Sequence, residues 1–221
     1  MPPELPPATY SIDDEDLRDR PDDVEAARQR VAALAALGED ADAERIGWLR
    51  MLNELEEAER LGWAALARAG GPSDPALLRE GDEQPEAMGV REGSGPPERS
   101  CVLPVAAIGP ALRLAHVLQW QRRFALADLL FRRAQHSAES ACGTAEPGSR
   151  QERVTIAMRY FAWQHGGKSL FDQGRYDEAL EWFLTALRLR QEVGAPDDQL
   201  ASTRQAIAAT RRRLTERRSG R

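Results

Sequence analysis

Trp163 to Ala186 reads WQHGGKSLFDQGRYDEALEWFLTA, and the spacing inside this stretch decides the fold. Counted from Ala179, an aromatic precedes by three (Tyr176), another follows by four (Phe183), and a small residue follows by seven (Ala186). Such positions share one face of a helix. Counted backwards, Gly174 stands at minus five, Leu170 at minus nine, Gly167 at minus twelve and Trp163 at minus sixteen. The pattern predicts one helix ending near Gln173 and a second starting near Tyr176, with Gly174 breaking the chain between them.

The same ruler fits at two further places. Around Ala127 it finds Phe124, Phe131 and Ala134 after the turn and Leu118, Ala115 and Ala111 before it, with Arg122 where the turn glycine would stand. Around Ala58 it finds Leu55, Ala65 and Leu49, but Gly62 replaces the large residue and Asn53 fills the turn. This spacing resembles the tetratricopeptide repeat, a helix-turn-helix unit of roughly 34 residues whose small residues let two antiparallel helices approach closely. The resemblance implies an all-α fold: antiparallel helix-turn-helix pairs stacked as a short solenoid.

The chain has 221 residues, of which 42% are hydrophobic, enough to form a core. Residues 1–21 are proline-rich, acidic and aperiodic, which predicts a flexible arm. From Asp22 or Asp23, good N-caps, Val24, Ala27, Val31, Leu34 and Leu37 recur at helical spacing until Gly38. Asp40 to Met51 and Leu55 to Ala69 pair around Asn53, so 22–69 forms one helical region with a degenerate repeat. Residues 70–104 are dense in glycine, proline and charge and predict a disordered linker, with a turn of helix at Ala76 to Arg79. Ala58 and Ala127 lie 69 residues apart, about two repeat lengths, so the array is expected to be interrupted here. The stretch 105–217 is the repeat domain proper. Its pairs are Ile108–Gln121 with Phe124–Ser140 and Gln151–Gln173 with Tyr176–Val193. A last helix carrying Leu200, Thr203, Ile207, Thr210 and Leu214 caps the stack.

Catalytic, cofactor and metal chemistry find no footing in these residues. GGKS at Gly166 to Ser169 matches the end of a phosphate-binding loop, but Ala162 occupies the place of that motif's first glycine and no strand precedes it. The histidines His116, His136 and His165 have no cysteine or carboxylate neighbours at zinc spacing. Cys101 and Cys142 fit neither a disulfide framework nor a CxxC site. No named catalytic motif occurs, and Asp177, Glu178 and Glu181 suit the positive end of a helix dipole. The N-terminus has neither the basic start nor the apolar run of a signal peptide, and no apolar stretch is long enough to cross a bilayer. The expectation is a soluble cytoplasmic protein that is not an enzyme and needs no cofactor.

Charge is segregated toward the ends. Residues 1–23 hold eight acids against Arg18 and Arg20, whereas residues 204–221 hold seven arginines against Glu216. The net charge of −6 makes nucleic acid an unlikely main partner. Repeats of the resembled family are typically interaction modules whose first helices line a concave groove. By position, that groove would be lined by Leu112, His116, Gln119 and Trp120 from one pair and by Phe161, Gln164, Lys168, Phe171 and Asp172 from the next. The implied function is the binding of a peptide or partner protein. Its rivals are a regulatory domain sensing a small molecule or short peptide, and a nucleic-acid-associated protein using the arginine-rich last helix.

Overall fold

In the computed structural model, which describes residues 5–79 and 102–220, the three turns marked by the ruler share one backbone geometry. Asn53, Arg122 and Gly174 sit at φ of 62°, 62° and 73°. The residues that follow, Glu54, Arg123 and Arg175, have φ/ψ of −85/60°, −83/58° and −83/58°. Their amides donate back to the carbonyls of Leu49, Leu118 and Leu170 at 2.8, 2.9 and 3.0 Å. This hydrogen bond, reaching five residues back into the preceding helix, caps its carbonyls while the left-handed residue reverses the chain.

Around these turns stand three pairs: α2 (Asp42–Met51) with α3 (Leu55–Arg68), α5 (Val105–Trp120) with α6 (Phe124–Cys142), and α7 (Arg150–Asp172) with α8 (Tyr176–Glu192). Helix α1 (Val24–Ala36) packs on α2 ahead of them, and α9 (Asp197–Ser219) packs on α8 behind. Asp23 caps α1, its carboxylate accepting from the amides of Glu25 and Ala26. The ruler's small residues Ala58, Ala127 and Ala179 are fully buried, as are Phe131 and Phe183.

The glycines of α7 explain how closely its partner lies. A Cβ on Gly166 would fall 2.2 Å from the Trp182 ring, and one on Gly167 would fall 2.7 Å from Phe183. Both are interior residues of a helix, so the phosphate-loop reading of GGKS has no loop to rest on. Met158 and Phe161 of α7 pack back on the preceding pair, whereas Val154 is exposed.

Two expectations meet a different arrangement. The repeat array is interrupted in sequence but continuous in space, because α3 packs directly against α5. Gly62, the ruler's odd residue, lies at that contact, where a Cβ would stand 3.0 Å from the Leu114 side chain. Between the two helices the chain makes the short helix α4 (Pro75–Arg79), and the rest of the expected linker lies mostly outside the described residues. The second difference is at the N-terminus, where composition predicts a flexible arm. Residues 10–21 fold instead into an antiparallel hairpin of β1 (Tyr10–Ile12) and β2 (Asp19–Pro21), closed by Asp13 N–H to Arg18 O at 2.9 Å and Asp22 N–H to Thr9 O at 3.0 Å. A two-stranded hairpin is marginal alone. This one is held because it lies against helices.

Candidate functional site

Helices α2, α5 and α7 present one common face, and the hairpin lies on it. Arg50 comes from the last turn of α2, Gln119 and Trp120 from the last turn of α5, and Lys168, Phe171 and Asp172 from the end of α7. Between them the hairpin inserts Leu17, Arg18 and Asp19. Asp19 is buried and bridges two cations, accepting from Lys168 Nζ at 3.0 Å through one carboxylate oxygen and from Arg50 at 2.7 Å through the other. Leu17, 2% exposed, joins Leu170, Phe171 and Ile207 in an apolar cluster and holds φ +59°, an unusual conformation for a leucine. The guanidiniums of Arg18 and Arg50 lie 4.8 and 4.7 Å from the Trp120 ring centroid, placing cations against its π face. Arg18 also pairs with Asp172 at 3.7 Å, and Gln119 donates to the same carboxylate at 3.0 Å.

The hairpin's other side rests on α9. Gln205 donates to the Ile12 carbonyl at 3.0 Å and to Asp14 at 2.7 Å, and Arg212 and Arg213 donate to the carbonyls of Asp14 and Glu15 at 2.7 and 3.3 Å. The opposite charges read at the two ends of the sequence thus meet.

Burial and charge act against each other at Asp19. Burial alone would raise its carboxyl, but Lys168 and Arg50, by charge and hydrogen bonds, hold it below the usual carboxylate range. It is therefore ionised, whereas burial pulls the Lys168 ammonium below the ordinary lysine range against the offsetting charge of Asp19.

Beyond the hairpin's edge the same face continues toward the middle turns of α5 and α7, where it opens into a cavity of about 190 Å³. His116 and His165 meet there with ring centroids 4.7 Å apart, and Phe161 lies nearly parallel to His165 at 5.9 Å. Burial lowers both imidazoles: His116 well below its ordinary value, and His165 to about 3, with the nearby Lys168 charge adding to the effect. Both rings are neutral at physiological pH.

Of the nine groove residues expected from sequence, the structure splits the set. Gln119, Trp120, Lys168, Phe171 and Asp172 lie at the hairpin contact, and Leu112, His116 and Phe161 line the cavity. Gln164 is buried, and both atoms of its amide lack a hydrogen-bond partner. Sequence reading missed Leu17, Arg18, Asp19 and Arg50, which complete the contact, and Arg113 and His165, which complete the cavity. The acidic N-terminal run facing an arginine-rich last helix was the available signal. Among the described residues no group of three or more histidine, cysteine or acidic side chains could hold a metal ion, and no helix is long and apolar enough to cross a membrane.

A stack of antiparallel helix pairs turning on shared left-handed residues, with its first helices sharing one face, defines a helical-repeat protein. The family model of the tetratricopeptide repeat matches residues 167–218, covering the end of α7, α8 and most of α9, and the chain carries this repeat. Repeats of this family serve in general as non-enzymatic scaffolds for protein interaction. No significant match was found among curated proteins or among solved structures.

Proposed function

We propose that this protein is an interaction scaffold whose groove, formed by α2, α5 and α7, binds an acidic peptide segment of a partner, and that its own N-terminal hairpin occupies the groove until the partner displaces it. One observation carries this reading: the groove already holds a peptide segment through Asp19, with Lys168 and Arg50 as its two cationic contacts. The hairpin reaches α2, α5 and α7 through the side chains of Leu17, Arg18 and Asp19, and only its α9 side is held by carbonyls, so a segment presenting a leucine and an aspartate at the same spacing meets the same groove contacts. Lys168 and Arg50 then need a new carboxylate, and Asp172 a new cation.

Nucleic acid fits less well. Arg212 and Arg213 are engaged by the hairpin carbonyls, and Arg217 pairs with Asp177 at 2.7 Å. These cations are turned to the chain's own oxygens.

The test uses a fluorescent peptide of this chain's residues 8–22 added to the full-length protein. In the Leu17→Ala/Asp19→Ala variant the internal hairpin loses both anchors, and the peptide binds far more tightly than to wild type. A hairpin docked about 99% of the time lowers apparent affinity about 100-fold. Adding Lys168→Gln removes the gain. Equal, negligible binding by wild type and by the anchor variant would show that the groove accepts no peptide in trans.

A further inference from the structure

The cavity at the open end of the groove has a feature that the hairpin contact does not explain. Arg113 of α5 lines it as a half-buried guanidinium that has no carboxylate partner among the described residues, and its Nε is buried without a hydrogen bond. Burial alone pulls this group below the ordinary arginine range, with no acid nearby to offset it. Buried charge of this kind is costly unless paired. The arginines elsewhere on this face, Arg18 and Arg50, each have an aspartate.

Two further polar groups converge on the same space. His116 is 6% exposed, and among the described residues neither it nor His165 has a hydrogen-bond partner; the Nδ1 of His165 is buried and unpaired there. Around them the walls are apolar and aromatic, from Leu112, Met158 and Phe161. The floor is open because residue 109 is glycine: a Cβ there would stand 3.4 Å from the Arg113 guanidinium and 3.6 Å from the Met158 sulfur. An apolar pocket with a few convergent polar groups has the character of a ligand site.

We propose that this cavity is a binding site for a small aromatic carboxylate. A guanidinium takes a carboxylate through two parallel hydrogen bonds. The two imidazoles, neutral and each with an N–H to donate, supply further donors. A single ring fits the space, since a dry cavity of about 150 Å³ accommodates benzene. Phe161 and Met158 give that ring an aromatic face and a polarizable thioether to pack on. The site is separate from the hairpin contact, so peptide exchange and ligand binding succeed or fail independently.

Benzoate is the probe, titrated into the full-length protein by calorimetry, with imidazole nitrogen resonances followed by NMR. Saturable binding is expected, with both His116 and His165 resonances moving. Benzyl alcohol, which keeps the ring and lacks the charge, and acetate, which keeps the charge and lacks the ring, each bind at least about ten-fold more weakly, as expected when a site is built around both groups. Arg113→Gln loses the charge contact and weakens benzoate by a similar factor. Gly109→Val keeps the charge but fills the floor, and it abolishes binding while leaving the helical circular dichroism unchanged. The proposal fails if benzoate shows no saturation by about 10 mM, the affinity expected of even an inefficient ligand of that size. Acetate or benzyl alcohol binding as well as benzoate, or benzoate binding unchanged in Arg113→Gln, overturns it equally.

Discussion

Gly174, Arg122 and Asn53 occupy one structural position with three different side chains, and the comparison isolates what the turn requires. A left-handed conformation costs an ordinary residue about 1–2 kcal/mol and glycine nothing comparable, with asparagine between them. Arg122 bears that cost at φ 62° and recovers part of it through its contact with the Phe124 ring at 5.5 Å. Arg122→Gly should therefore stabilise the protein by about 0.5–1 kcal/mol, read from the denaturant midpoint, and Gly174→Ala should destabilise it by about 1 kcal/mol. Gly167→Leu is a different kind of change, because its Cβ already meets the Phe183 ring at 2.7 Å. Overpacking costs about 1–3 kcal/mol, and a thermal melt should show at least that loss. These positions were legible in sequence because they obey a local ruler. Side-chain type and spacing are enough to find a turn that recurs three times, even where the marker glycine is missing.

At the scale of elements, every repeat helix could be read from periodicity and the hairpin could not. Strands of three residues are too short to show alternation, and the proline-rich acidic sequence around them carries the composition of a mobile segment. What orders the hairpin lies far along the chain: Lys168 is 149 residues from Asp19, and Gln205 is 193 from Ile12. For the same reason Trp120 and Phe171 could be placed on the groove face but not recognised as covered. Removing one member of a buried ion pair commonly costs about 3–5 kcal/mol, yet a hairpin that can undock limits the loss to its own docking energy. Asp19→Asn should accordingly raise hydrogen exchange at the amides of Asp13 and Asp22 while α7 and α8 keep their protection. Loss of protection throughout α7 would mean that the hairpin is an inseparable part of the fold.

Across the whole molecule, titration of the groove couples stability to pH. His116 and His165 are held neutral, with His165 lowered to about 3, whereas in the unfolded chain a histidine binds its proton near pH 6.5. Their contribution is complete above about pH 6.5 and is lost as pH falls toward 3, because the unfolded state takes up protons first. Each histidine adds a slope of at most about 1.4 kcal/mol per pH unit. Asp19, whose carboxyl is held low, contributes above about pH 4 and loses its contribution on further acidification. Urea denaturation at pH 7, 5.5 and 4.5 should show the decline, and His165→Gln should remove the slope of about one proton.

The meeting of the hairpin with α9 also fixes an order of events in the cell. Residues 10–21 leave the ribosome early, but Gln205, Arg212 and Arg213, on which Ile12, Asp14 and Glu15 rest, are made almost two hundred residues later. The groove itself is complete at Asp172, so for the 33 residues from there to Gln205, made at about 5–20 residues per second, the hairpin has its contacts to Arg50 and Lys168 but not those to α9. A newborn chain thus passes through a window of roughly two to seven seconds in which the hairpin is held from one side only. Under the proposed exchange, a partner present at that moment meets its competitor at its weakest, so binding that is slow to the finished protein becomes fast when the two are made side by side.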